Sequence, residues 1–355
     1  MSTILGAEAF QQMQAADPAQ MLGLVSAAAR RARQHWDYGL AHPLPIERLA
    51  DIQQVLICGM GGSGSTGDLL VSLCSDSHLP LRVNKSGQLP AWVDRHTLVI
   101  GVSYSGNTAE TLACLTQAQQ QGALLHLLSA GGEVADFAAA HQLSRVPLDG
   151  GLPPRSALFD MFFALLGSLQ KLRALHLPAT ADTLGALSQL DQLSAAWTAR
   201  PDEKAPAPLQ LARQLVGLQP IIWGVSQESE WVALRWKNQL AENAKTLALW
   251  SVLPELNHNE MVAICAAHHS RQALIYLNLE TATPVADSIA LALAADHLAA
   301  VEQLSAAGST RLERLLYLTY FGDFMSVYLA LLQGIDPTPI EAIEQFKARL
   351  AQAQA

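Results

Sequence analysis

Three short apolar runs, residues 55–58 (Val-Leu-Ile-Cys), 98–102 (Leu-Val-Ile-Gly-Val) and 124–128 (Leu-Leu-His-Leu-Leu), each lead through a loop into a stretch of helical pattern. Runs this short without polar alternation suit strands buried on both faces, and such strands are parallel ones joined by crossover helices. The stretches 68–75, 109–121 and 134–141 supply the crossovers, so residues 50–150 read as a βαβ layer structure with its loops along one edge. A helix over 156–175 closes this half, and the Leu/Ala-rich opening to about residue 50, including 18–35, reads as helical.

Residues 199–208 (Ala-Arg-Pro-Asp-Glu-Lys-Ala-Pro-Ala-Pro) have no apolar periodicity and read as a linker or exposed turn. The plan then repeats, with a strand at 221–224, a helix from about Glu230, and strands at 246–250 and 273–279. The expected fold class is α/β, with two similar units in tandem, each a parallel sheet flanked by helices. Its divisions are an N-terminal helical segment 1–50, a first unit 51–198, the linker 199–208, and a second unit 209–355 ending in a helix. A chain of 355 residues that is 50% hydrophobic has apolar mass enough for two cores.

Charge narrows the function classes. With 22 Lys+Arg against 31 Asp+Glu, a net charge of −9 and no basic run, nothing attracts a phosphodiester backbone, and nucleic acid is not an expected partner. The opening residues lack the basic and apolar regions of a signal peptide, and runs such as 161–167 fall short of the ~18 residues that span a bilayer. A cytoplasmic protein without a membrane partner is expected. Cys58, Cys74, Cys114 and Cys265 match no zinc or redox spacing and read as reduced thiols, chiefly core fillers. His268 and His269 share no ligand spacing with His258, so no metal or cofactor is expected.

Two loops of the first half carry chemistry. Residues 59–65 (Gly-Met-Gly-Gly-Ser-Gly-Ser) follow a strand and open a helix, where several backbone N–H groups can face one anion. Gly59, Gly61 and Gly64 also satisfy a dinucleotide pattern, but residues 81–85 (Leu-Arg-Val-Asn-Lys) end in Asn and Lys where a ribose-binding carboxylate belongs. A purely structural glycine turn is the plain alternative. The second loop is Ser103-Tyr104-Ser105-Gly106-Asn107-Thr108. Thr108 with Thr111, or Asn107 with Glu110, would make an ordinary helix cap. Ser103 and Ser105 exceed what a cap needs, and parallel strands bring both loops to one edge, which favours a joint anion site.

Amides, acids and an imidazole crowd into 237–245 (Lys-Asn-Gln-Leu-Ala-Glu-Asn-Ala-Lys) and 255–260 (Glu-Leu-Asn-His-Asn-Glu), in a chain only 15% charged. Arg235, Asn238, Glu242 and Lys245 share one helical face, either as a solvated salt-bridged stripe or as a functional carboxylate beside Trp231 and Trp236. His258 is either a loop histidine held by Asn257 or Asn259, or an acid/base group.

Residues 59–64 with 103–108 resemble the sugar isomerase (SIS) domain. With 152–157 (Leu-Pro-Pro-Arg-Ser-Ala), 237–245, 255–260 and 334–339 (Gly-Ile-Asp-Pro-Thr-Pro), the chain from about 15 to 350 resembles the bifunctional phosphoglucose/phosphomannose isomerase family. The resemblance implies two SIS subdomains, a homodimer with active sites shared across its interface, a sugar-phosphate substrate and no metal. It implies an aldose–ketose isomerase that interconverts glucose 6-phosphate, and mannose 6-phosphate as a further substrate, with fructose 6-phosphate through ring opening and an enediolate. A non-catalytic sugar-phosphate sensor and an isomerase for another phosphosugar are the alternatives.

Carried onto this sequence, the resemblance puts the phosphate on Gly62, Ser63, Ser103, Ser105 and Thr108, and Arg155 near C1 and C2. Glu242 becomes the base that moves the C2 proton, His258 the group that opens the ring, and Lys347 a second group at the ring oxygen. Thr338 is either a sugar contact or part of a helix-start turn. Ser65-Thr66 departs from the apolar pair expected after Gly64. The helix over 339–353 also reads as amphipathic with Ile340, Ile343 and Phe346 inward, which would leave Lys347 on the surface. His258 lies sixteen residues beyond Glu242 across a strand-like run, a separation that a dimer lending His258 across its interface would solve.

Overall fold

The computed structural model describes residues 4–45, 49–280 and 282–354. The chain begins with three helices, α1 (Ala7–Ala15), α2 (Met21–Ser26) and α3 (Ala28–Ala41). The first sheet follows as β1 (Gln54–Cys58), α4 (Gly61–Leu73), β2 (Leu81–Asn84), β3 (Thr97–Val102), α5 (Ala109–Gln120), β4 (Leu124–Ser129), α6 (Gly132–Ala140) and β5 (Ser144–Pro147). A single 3-10 turn, Pro154–Ser156, leads into α7 (Leu158–Ser168), and then come α8 (Thr180–Trp197) and α9 (Ala207–Leu215). The second sheet is built from β6 (Gln219–Val225), α10 (Glu230–Glu242), β7 (Leu249–Leu253), α11 (Glu260–Ala266), β8 (His269–Asn278), α12 (Val285–Ala295) and β9 (Leu298–Ser305). Two helices end the chain, α13 (Arg311–Leu332) and α14 (Glu341–Gln354).

Both sheets are wholly parallel, in the orders β2-β1-β3-β4-β5 and β7-β6-β8-β9. β3 is buried at every position, which is why its sequence shows no polar alternation. The expected strands at 55–58, 98–102, 124–128 and 221–224 are β1, β3, β4 and β6 to within two residues at each end. Several expectations shift, among them the strand at 273–279, which begins at His269 as β8. The helix expected at 68–75 starts at Gly61, so the glycine loop is itself its first turn. The helix over 156–175 shrinks to α7, since Arg155 and Ser156 belong to the 3-10 turn. The strand at 246–250 moves to 249–253, because Lys245 adopts a positive φ of 52° that prolongs the turn after α10. α9 starts at Ala207, inside the stretch read as a linker.

α13 is the longest of the elements the sequence reading omits, and it holds the molecule together. It opens with a full capping box, Thr310 and Glu313 bonding reciprocally, and is then buried almost throughout. Trp197, at the end of α8, packs on Tyr317, Tyr320, Phe321 and Phe324 of α13 with ring centroids 5.1 to 6.0 Å away. The Tyr320 hydroxyl donates to Val25 O of α2, and that of Tyr328 to Trp197 O, so one helix secures the N-terminal helices and the segment between the sheets. By length and composition α13 could cross a membrane, but 89% of its apolar window is buried in the protein. α14 overturns an expectation: Ile343 and Phe346 are exposed and Ile340 only half-buried, because nothing among the described residues covers that face.

Candidate active site

The chain leaves β1 through α4 to β2 on one side and then places β3 on the other. The loops after β1 and β3 therefore diverge from adjacent strand ends, the crevice where parallel sheets hold ligands. Each runs straight into a helix, α4 of 13 residues and α5 of 12, whose first N–H groups have no intrahelical partner. Gly62 and Ser63 lie in the first turn of α4. The Tyr104 N–H donates to Ser63 Oγ at 3.1 Å, tying the loops together. Ser103 Oγ donates to Thr108 Oγ1 at 3.0 Å, and the Asn107 N–H donates to Ser105 Oγ at 3.3 Å.

The capping reading of the second loop is not what its side chains do. Thr108 stands at the N-cap position of α5, but its hydroxyl caps nothing there. Asn107 Oδ1 instead accepts the Glu133 N–H at the start of α6. Gly106 and Gly62 are among the glycines that sterics require. Gly106 has φ 78°, and a Cβ there would lie 1.7 Å from Gly131 O. A Cβ on Gly62 would lie 2.7 Å from Pro154 O, so the turn that carries Arg155 sits directly on the first loop. The matching crevice of the second sheet, after β6 and β8, holds Glu228 and Glu280 instead. Burial, and then Glu280, raises the Glu228 pKa, an environment hostile to an anion.

Arg155 is 4% exposed and largely spoken for. Its Nε donates to Asn243 Oδ1 at 2.8 Å and its Nη2 to both Pro337 O and Thr338 O at 2.8 Å. Nη1 lies 3.7 Å from Glu242 Oε2. Burial lowers the Arg155 pKa, and the Glu242 and Asp336 carboxylates oppose that. Glu242 is the last residue of α10 and lines a cavity of about 660 Å³ between that helix end, residues 245–247 and residues 339–343. Lys245 Nζ donates to Glu242 O at 2.7 Å and Pro337 O at 3.2 Å. The salt-bridged stripe is absent: Arg235 is buried with Asp323, Nε and Nη2 reaching its two oxygens at 3.0 and 2.9 Å.

The structure thus brings Gly62, Ser63, Ser103, Ser105 and Thr108 to one crevice, joins Arg155 to Glu242, and stacks the Arg155 turn on Gly62. It does not bring His258 or Lys347 to them. His258 is exposed on a 3-10 turn, Glu255–His258, and is held by neither flanking asparagine: Asn259 bonds to Glu255 and the Glu260 N–H, and Asn257 Oδ1 is buried without a partner. Lys347 is exposed on α14 and makes no hydrogen bond or ion pair among the described residues. Thr338 Oγ1, beside Arg155, is buried and unpartnered. Among the described residues no three His, Cys, Asp or Glu side chains are grouped to hold a metal ion.

Three supporting residues escaped the sequence reading. The Tyr104 hydroxyl donates to Asp149 O at 2.8 Å and accepts the Leu152 N–H at 3.2 Å, binding the second loop to the segment that leads to Arg155. Asn243 and Asp323 hold the two arginines. Asp323 had a visible signal, as the sole charge between Leu315 and Leu332 in an otherwise apolar run.

Comparison with known proteins accords with this geometry. Residues 204–350 match the model of the bacterial phospho-glucose isomerase C-terminal SIS domain. A bifunctional phosphoglucose/phosphomannose isomerase of Caldicellulosiruptor bescii is 35% identical over 308 residues, covering 85% of this chain and 91% of its own. That of Thermoplasma acidophilum is 30% identical over 304 residues, covering 86% and 92%. Among solved structures, a hypothetical protein of Thermus thermophilus superposes with TM-score 0.74 at 16% identity, over 98% of this chain and 94% of that one. Tagatose-6-phosphate ketose/aldose isomerase of Escherichia coli superposes with TM-score 0.61 at 14% identity, over 94% of each chain. At such identities these structures speak for the fold alone.

Proposed function

Since the chain belongs to the bifunctional phosphoglucose/phosphomannose isomerase family, we propose that it interconverts glucose 6-phosphate and mannose 6-phosphate with fructose 6-phosphate. A single observation supports a catalytic site rather than a mere phosphate cradle. The turn that carries Arg155 rests on Gly62 of the phosphate loop, while its Nη1 faces the Glu242 carboxylate at 3.7 Å. A phosphate held by Gly62, Ser63, Ser103, Ser105 and Thr108 then fixes the far end of the sugar, and C1 and C2 fall to Arg155 and Glu242.

Chemistry orders the steps. The C2 proton is too weakly acidic to remove until ring opening turns C1 into a carbonyl, so His258 opens the pyranose before Glu242 acts. Glu242 takes the proton from C2 and returns it to C1, and the Nη1 edge of Arg155 meets the negative oxygen of the enediolate. A planar enediolate has lost the C2 configuration, so one intermediate leads to either aldose. In this reading His258, exposed and apart from Glu242 in its own protomer, completes the site of a second copy in a homodimer. Thr338, whose buried Oγ1 has no partner among the described residues, borders the sugar from the loop before α14. Incubating the purified protein with fructose 6-phosphate should yield both glucose 6-phosphate and mannose 6-phosphate. Absence of both products would remove the assignment.

A further inference from the structure

The guanidinium of Arg155 has five N–H groups in a rigid fork. Three are already used, Nε–H on Asn243 Oδ1 and both Nη2–H on the carbonyls of Pro337 and Thr338, each at 2.8 Å. Only the Nη1 pair is left, on the edge that faces Glu242 at 3.7 Å. The carbonyl contacts come from the loop before α14, whereas the Asn243 contact comes from the residue that directly follows Glu242 at the end of α10. The proposed base and the group that aims the arginine are therefore neighbours on one rigid helix end.

Asn243 is itself locked. It is 1% exposed, and its Nδ2 donates to Ser326 Oγ at 3.0 Å. Ser326 spends its own proton on Asp323 O at 2.9 Å, so towards Asn243 it can only accept. The amide therefore has one satisfied orientation, with Oδ1 on Arg155. The backbone is held by the same face of α13: Arg235, paired with Asp323, donates Nη2 to Arg155 O at 3.0 Å. On the opposite side Arg31, paired with Asp160, donates Nη2 to Ser156 O at 3.0 Å. Two ion pairs, one buried and one part-buried, thus grip consecutive carbonyls of the Arg155 turn.

We propose that Asn243, oriented by Ser326, is a positioning residue that restricts Arg155 to offering its Nη1 edge to the enediolate. It rests on the isomerase reading above and adds to that reading a residue that touches no substrate. Without the Nε–H contact the guanidinium can turn about its last bonds, and misplacement of about 1 Å at a reacting centre can cost on the order of 100-fold in rate.

The test compares Asn243→Ala and Ser326→Ala with wild type, using fructose 6-phosphate turnover and two inhibitors. One is a five-carbon phosphorylated hydroxamate that mimics the enediolate; the other is sorbitol 6-phosphate, which offers the phosphate and the chain but no enediolate. In Asn243→Ala, kcat and hydroxamate affinity should both fall at least ~10-fold, while KM and sorbitol 6-phosphate affinity stay within about 3-fold. Ser326→Ala, which frees the amide to turn, should show the same split at smaller size, and it decides the matter alone if Asn243→Ala does not fold. An active wild type whose variants lose both inhibitors alike, or neither, overturns the proposal by itself. A wild type that turns over no fructose 6-phosphate overturns the isomerase reading and this inference with it.

Discussion

A carboxylate that takes a proton from carbon is best placed beside the cation that stabilises the resulting anion, and Glu242 lies 3.7 Å from Arg155. Glu242→Gln removes the proposed base and keeps the shape, so phosphosugar binding should persist while turnover drops at least ~100-fold; wild-type turnover would rule Glu242 out. Replacing Ser105 and Thr108 together by Ala should raise the KM for phosphorylated sugars and leave free-sugar affinity unchanged. Equal effects on both would reduce the hydroxyls to structural parts. A different residue sets acid tolerance. His126, fully buried between Ser144 Oγ and Ser168 Oγ, has its pKa lowered by burial, and less by His42, from 6.5 to about 4. Below pH 6.5 the unfolded chain takes up a proton that the folded one refuses, so stability declines as pH falls towards 4, by up to about 3 kcal/mol. Urea titrations of His126→Gln across that window should show a shallower decline, and an unchanged slope would assign the loss to other groups. The polar density around Glu242 and His258 was visible in the chain itself, because only 15% of its residues are charged. The partners of Arg155 and Arg235 were not, since each arginine meets its partner across 88 residues.

Elements were legible in proportion to how far local pattern decides them. β1, β3, β4 and β6 lie inside sheets, so a bare apolar run reveals them. β9 mixes Glu302 and Gln303 into an edge strand that is only partly buried, and no pattern reading found it. α13 was missed for the opposite reason: apolar on every side, it has no amphipathic period, because other elements cover it all round. Its importance can be measured. Trp197 fills the space among four aromatic rings of α13, so Trp197→Ala should cost about 3–5 kcal/mol, read as a lower urea midpoint at fixed protein concentration. A loss below about 1 kcal/mol would mean that the surrounding rings close the gap. The same helix carries Asp323 and Ser326, so loosening it should also lower turnover through Arg155.

Two features of the chain bear on the proposed homodimer. Leu247 is 80% exposed and, with Ile343 of α14, lines the cavity that Glu242 lines; Phe346, 66% exposed, and Leu350 continue the apolar side of α14 beyond it. His258 stands exposed on its own turn and shares no contact with Glu242 among the described residues. The amphipathic pattern of α14 was legible as a pattern, but its apolar side, expected inward, is exposed in this chain. A second copy seated by two-fold symmetry would cover that face and deliver His258, making two composite sites. His258→Ala and Glu242→Gln subunits should each be inactive as homodimers. In the mixed dimer one site unites an intact Glu242 with an intact His258 and the other has neither, so activity should return to about half that of a wild-type dimer. The mixture must first be shown by mass to contain heterodimers. Full exchange without recovered activity would put both residues in one chain, and α14 would then have to swing its exposed face inward to complete the site alone.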